Sequence, residues 1–482
     1  GVFRLSGSLE GQVVVAAPDD AQVVLILDDA TIEASDAPAI TVTTADDVVI
    51  SLEGDNAVSD ASSYADDTAA DAAIYADADL TITGSGSLQV TGNGNDGITS
   101  TDDLVVVSGE IAVTAVDDGL RGKDALLVSG GTVTVAADGD ALKSDQDQDA
   151  AQGFVWISGG TLTLTSGDDG VAAATDAVIT GGAVSITAGG SATAADDSPK
   201  GVSAGVVAVV DGGDVTIDAA DDGVHSDGSV GIGGGTLTIA AGDDGVHAEQ
   251  RLEIRSGEVT VTGAVEGLEG VDVAISGGTV DVTASDDGIN AAGNSEATTD
   301  GGMGGGMAGE ADTGETLVIS GGTVRVVAVG DALDSNGSIT VSGGEVAVYG
   351  PTGGGEGAVD ANGAITLDGG TLFVGGSTLK VPVGAQTWVS ASVSGSAGSV
   401  VEIVDAAGAV VVSYTAAASF GAVLVSDAAL TAGSSYGVVI DGATVATATA
   451  GTGLTETGPG GGGPGGAGPD GGGGGAPDGQ RP

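Results

Sequence analysis

The residues of this chain best suited to chemistry are paired aspartates set at glycine corners. DDG corners begin at Asp117, Asp168, Asp221, Asp243 and Asp286, and a further DD pair stands at Asp196. The pattern is fullest in mid-chain, as DDGVH from Asp221, DDGVH from Asp243, a degenerate VEGLE from Val265 and DDGIN from Asp286. It recurs at about 22 residues, the range in which small units stack into a solenoid. If the copies stack as neighbouring strands do, equivalent carboxylates stand roughly 5 Å apart. Each like-charge contact then costs about 0.8 kcal/mol even at the dielectric of water. Bound cations remove that cost, and hard carboxylate and carbonyl oxygens favour calcium over zinc or copper. The densest acidic section nominates Asp117, Asp118, Asp138, Asp140, Asp145, Asp168 and Asp169 as ligands. The competing reading is that Asp and Gly simply shape turns. It accounts for most DDG corners and leaves calcium at a few.

His225 and His247 take the same place in successive copies, close enough to hold a metal jointly. Asn290 takes that place in DDGIN, so the position reads as polar stacking rather than ligation. Arg121, Lys123 and Lys143, three of only ten Lys and Arg, lie beside Asp-rich corners. Charge balance inside an acidic column explains them better than a catalytic role. Met303 and Met307 lie among glycines with no His or Cys beside them, which disfavours a soft-metal site.

A stack of short strands must position these residues. In GGTVTV (130–135), Val133 and Val135 alternate with Thr132 and Thr134, and the parity recurs at Leu162/Leu164, Leu237/Ile239, Val280/Val282 and Val324/Val326. Each repeat holds two or three such runs, too short for helices and separated by Gly, Asp or Ser corners. One repeat is therefore one coil of an all-β, parallel β-helix, with aliphatic positions stacked inward and Thr, Asp and Glu in columns outside. Residues 1–375 are expected to form the β-helix, with a Gly/Met-rich loop inserted at 290–316. A C-terminal β-rich segment at 376–450 would cover the open edge of the last coil. The Gly/Pro-rich tail at 451–482 cannot bury a core and is expected to be disordered.

Composition narrows the partners. The chain has 482 residues and a net charge of −59, which excludes nucleic acid and an anionic membrane surface as direct partners. The acidity also suits a high-salt habitat. There is no Cys, hence no disulfide framework or thiolate site. No apolar run reaches the roughly 18 residues that span a bilayer, and no signal peptide is seen. The start at Gly1, in strand pattern and without Met, reads as a trimmed or mature form.

The segments AIYADADLTITGSGSL, NDGITSTDDL, DDGLRGKD, GDALKSD and GDALDSNGSITVSGG carry a further signal. Through them the chain, from about residue 7 to about residue 440, resembles a bacterial family of extracellular carbohydrate-binding proteins. Their fold is like that of the pectate-type polysaccharide lyases. The resemblance implies a right-handed β-helix, secretion or cell-surface location, and calcium-assisted binding of cellulose and acidic sugars. In that light Arg121, Lys123 and Lys143 are candidate sugar-binding residues, since a cation beside calcium suits a sugar carboxylate. Tyr75 and Trp156 are the available stacking platforms, in a chain with only 2% aromatics. Trp156 reads equally as strand-edge packing, and the scarcity of rings favours polar and calcium-bridged contacts.

The expected function is secreted, calcium-dependent binding of polysaccharide by a monomer, with acidic polymers such as polygalacturonate preferred and cellulose a further candidate. Two alternatives stand beside it. A pectate-type lyase would need a basic residue to take a proton next to the uronate carboxylate, and such residues are few. A structural or adhesive surface protein needs neither. Ice binding through the outward Thr161 and Thr236 runs ranks lower, because Asp214, Glu258, Asp281 and Arg325 break the column.

Overall fold

The computed structural model describes residues 1–65, 68–189, 198–293, 311–353, 357–377 and 379–452. Asp196, Met303, Met307, most of the 290–316 insertion and nearly all of the 451–482 tail lie outside the described residues. Every regular element among the described residues is a strand.

A typical coil runs through Leu120–Gly122, Ala125–Val128 and Thr132–Ala137. Each strand pairs in parallel with its counterparts in the coils before and after. Leu120 faces Ile98 and Leu142, Leu126 faces Leu104 and Val155, and Val133 faces Ile111 and Leu162. Three parallel sheets thus enclose one aliphatic core, which makes the fold a parallel β-helix. Side-chain parity is as expected. Val133, Leu162, Leu237 and Val280 are at most 1% exposed, while Thr132 and Thr161 face solvent and Thr236 is half-buried.

The corner between the second and third strands explains the recurrent GG. Its second glycine is left-handed, with φ of 87° at Gly131, 96° at Gly160 and 95° at Gly182. It also rests on the coil before, so that a Cβ on Gly160 would stand 3.0 Å from the Gly131 carbonyl oxygen. A side chain there would meet strain and crowding together.

Coil length varies while register does not. Bonded aspartates of successive coils are 22 residues apart at Asp118 and Asp140 but 29 apart at Asp140 and Asp169. The separation reaches 44 at Asp287 and Asp331. Across these longer spacings Val133 still faces Leu162 and Val280 still faces Val324.

At the C-terminal end, Ile365–Gly376 pairs antiparallel with Ala422–Ser426. A four-stranded antiparallel sheet follows, built from Val400–Val404, Val410–Thr415, Ser435–Ile440 and Ala443–Thr449. Phe373 centres an aromatic cluster here, with ring centroids 5.4 Å from Tyr349, 5.1 Å from Tyr414 and 6.2 Å from Phe420. The core thus changes from aliphatic to aromatic where the stack ends.

Candidate functional site

Most coils enter their first strand through an Asp-Gly or Asp-Ala corner, and the aspartate next to that Gly or Ala points along the stack. Asp118 Oδ1 accepts the backbone N–H of Asp140 at 3.0 Å, and Asp140 Oδ1 accepts that of Asp169 at 2.9 Å. Asp169 Oδ1 accepts the Lys200 N–H at 2.7 Å, and Asp222 Oδ1 that of Asp244 at 3.1 Å. Asp96 and Asp287 do the same for Asp118 and Asp331. The backbone has left its strand ladder at these corners, so each N–H needs another acceptor. The ladder gives the turn-shaping role of these aspartates a concrete form, a hydrogen bond between coils. Lys200 and Glu266 replace the aspartate in two coils, where their carbonyls still receive the N–H groups of Gly170 and Gly245.

Beside this ladder runs a column of outward side chains from the middle of each first strand. Register places Tyr75, Thr99, Arg121 and Lys143 one above another. The column continues through Ala172 and Ser203 to His225, His247, Glu269 and Asn290. Arg121 donates to Asp145 Oδ2 at 2.6 Å and lies 3.7 Å from Asp96 Oδ2. Lys143 Nζ bridges Asp118 Oδ2 at 3.0 Å and Asp140 Oδ2 at 2.8 Å. Both cations are therefore engaged by carboxylates of two different coils.

These cations do not quiet the column. Burial pushes the Asp96 carboxyl up to about 7, with the Asp118 charge adding to it. Burial raises Asp140 to about 6 despite Lys143, and Asp169 to about 7 with help from Asp140 and Asp168. Asp117 is raised for the same reasons, burial first and then the Asp118 charge. Asp96, Asp117 and Asp118 bring carboxylate oxygens within 4.8 Å of one another, and so do Asp140, Asp168 and Asp169. Each trio is an all-oxygen donor set short of positive charge.

The nominated residues separate accordingly. Asp117, Asp118, Asp140, Asp168 and Asp169 fall into the two trios, whereas Asp145 is turned to Arg121 and Asp138 is exposed outside both. Asp96 belongs to the first trio and was not among the nominated ligands. Its signal was NDG at 95–97, which matches the DDG at Asp117 in coil register. Tyr75, Arg121 and Lys143 share one column. Lys123 is exposed just beyond it. Trp156 stands on a second strand between Leu127 and Val178, 41% exposed, with Nε1 donating to Thr180 Oγ1 at 3.0 Å. It belongs to a different face of the helix from the acidic column.

Fold and site together define a parallel β-helix with an acidic, cation-paired face. The chain belongs to the family of carbohydrate-binding domain-containing proteins, whose model matches residues 1–245 and again 243–455. Carbohydrate is thus its class of partner. It is also similar to the solved polysaccharide lyase-like protein from C. thermocellum, a gadolinium derivative, at 31% identity over 39% of this chain and 79% of that one, with a TM-score of 0.38. No curated protein matches the chain.

Proposed function

We propose that this protein is a secreted, calcium-dependent binder of acidic polysaccharide, acting as a monomer outside the cell or on its surface. The observation that carries the reading is the pair of carboxylate trios, Asp96/Asp117/Asp118 and Asp140/Asp168/Asp169, on a chain whose family binds carbohydrate. Calcium takes six to eight oxygens at about 2.3–2.6 Å, so each trio would supply part of a shell and leave positions for sugar oxygens and water. A polyanionic protein and a polyuronate repel until a divalent cation stands between them. Binding is favoured over lyase chemistry because Arg121 and Lys143 are held by carboxylates and neither is free to accept a proton.

The test is co-sedimentation with polygalacturonate. Binding should appear with calcium, vanish with a chelator and fall at least about tenfold in Asp117→Asn/Asp168→Asn, which spares the ladder. Retention in chelator would refute calcium bridging. New ultraviolet absorbance from unsaturated sugar in the same tube would instead establish a lyase.

A further inference from the structure

The outward column also contains the two imidazoles of the chain, away from the two trios described above; the acid they share, Asp222, belongs to a third carboxylate trio with Asp221 and Asp243. His225 Nδ1 is 3.0 Å from Asp222 Oδ2, and His247 Nδ1, from the next coil, is 3.8 Å from the same oxygen. The two rings meet edge to face with centroids 5.0 Å apart, and the three donor atoms lie within 4.8 Å of one another. Zinc binds His nitrogen and carboxylate oxygen at about 2.0–2.2 Å, which separates neighbouring donors of a tetrahedron by roughly 3.4 Å. The two measured separations bracket that edge. Asp244 Oδ2, 3.5 Å from His247 Nδ1, stands within reach as a fourth donor.

The far nitrogens strengthen the case. His225 Nε2 lies 3.2 Å from Asp227 Oδ1, and His247 Nε2 lies 4.0 Å from Glu249 Oε1. Each imidazole therefore turns Nδ1 to the shared pocket and Nε2 to a carboxylate two residues on, as the strand alternation of DDGVHSD and DDGVHAE dictates. A carboxylate behind a ligating histidine fixes its tautomer and raises its basicity. The backing carboxylate is within hydrogen-bond distance at His225 and stands farther off at His247, in adjacent coils around one buried acid.

We infer that Asp222, His225 and His247 form a site for a borderline divalent cation of the zinc class, distinct from the oxygen sites proposed for calcium. Two imidazoles and a carboxylate suit zinc, cobalt or nickel and are a poor set for calcium. The ion would clamp two successive coils and complete a column that carries Asp244, Glu266 and Glu269 beside it.

The full chain, stripped with chelator and then dialysed, is titrated with zinc in the presence of excess calcium. We expect one tight equivalent and a higher melting temperature. Cobalt should give the visible bands of a tetrahedral site, bleached by zinc. His225→Asn/His247→Asn should lose at least 100-fold in zinc affinity, and Asn290 shows that the column accepts asparagine. Asp227→Asn, at an exposed position, should lose about tenfold without any demand on folding. Zinc affinity within twofold of the wild type in both variants would overturn the assignment, as would displacement of zinc by calcium.

Discussion

Lys143 shows how a residue's neighbours, rather than its type, set its role. Its ammonium lies between Asp118 and Asp140, one in its own coil and one in the coil before. Removing one partner of a buried ion pair leaves the others uncompensated, so Lys143→Met should cost about 2–3 kcal/mol at pH 8. The loss should shrink by pH 5, where Asp140 takes up a proton, while Lys123→Met at an exposed site should stay within about 0.5 kcal/mol. Urea melts at the two pH values test this, and an equal loss at both would contradict it.

The raised carboxylates give a second prediction of defined sign. Asp96, Asp140 and Asp169 titrate near 7, 6 and 7 in the folded chain, above the ordinary aspartate value. The native state thus holds more protons than the unfolded one, and the stability this confers is complete at acid pH and lost as pH rises through 6 to 7. Cation-free protein should therefore melt several degrees higher at pH 5 than at pH 8, and calcium should narrow the gap from the alkaline side. Identical melting curves would mean that these carboxylates are not under strain. At this scale the sequence is only partly informative. The acidic corners could be read from it, but that Asp145 faces Arg121 and Asp222 faces two histidines depends on side chains reaching across coils whose lengths differ.

At the scale of the coil, strand parity decides almost everything, because inward and outward positions alternate and a slip by one residue would invert every side chain. That is why Val133, Leu162, Leu237 and Val280 could be placed in the core from pattern alone. The same pattern hid the 29-residue spacing between Asp140 and Asp169, since a period of about 22 gives no sign of where a coil will be lengthened, whereas the run at 290–316 was legible from its composition. The GG corners supply the prediction here. Gly182→Ala puts a Cβ on a residue with φ of 95° and 3.0 Å from the Gly160 carbonyl oxygen. It should cost about 1–2 kcal/mol. A loss of less than about 0.5 kcal/mol would mean that the corner relaxes freely.

Across the whole molecule, the stack ends in an aromatic lid. Phe373 and Tyr349 belong to the final coils, Tyr414 comes from Val410–Thr415, and Phe420 lies just before Ala422–Ser426. A chain ending at residue 376 would bare Phe373 and the hydrogen-bonding edge of Ile365–Gly376, now covered by Ala422–Ser426. Exposed edges recruit other edges. The shortened chain should self-associate in gel filtration while the full chain elutes as a monomer, and a well-behaved monomer from both would show that the lid is dispensable.

The aspartate ladder also has a direction. In each of its bonds the carboxylate belongs to the earlier coil and the amide to the later one. Outside the coils that carry Lys200 and Glu266, a chain winding up from its N-terminus therefore offers a vacant carboxylate to the residues that arrive next. Growth from the other end would offer the amide, with a neutral carbonyl for the earlier coil's glycine N–H, and leave the charged partner to be captured afterwards. Each completed turn thus presents its successor with a charged acceptor, and the column is polar along the stack.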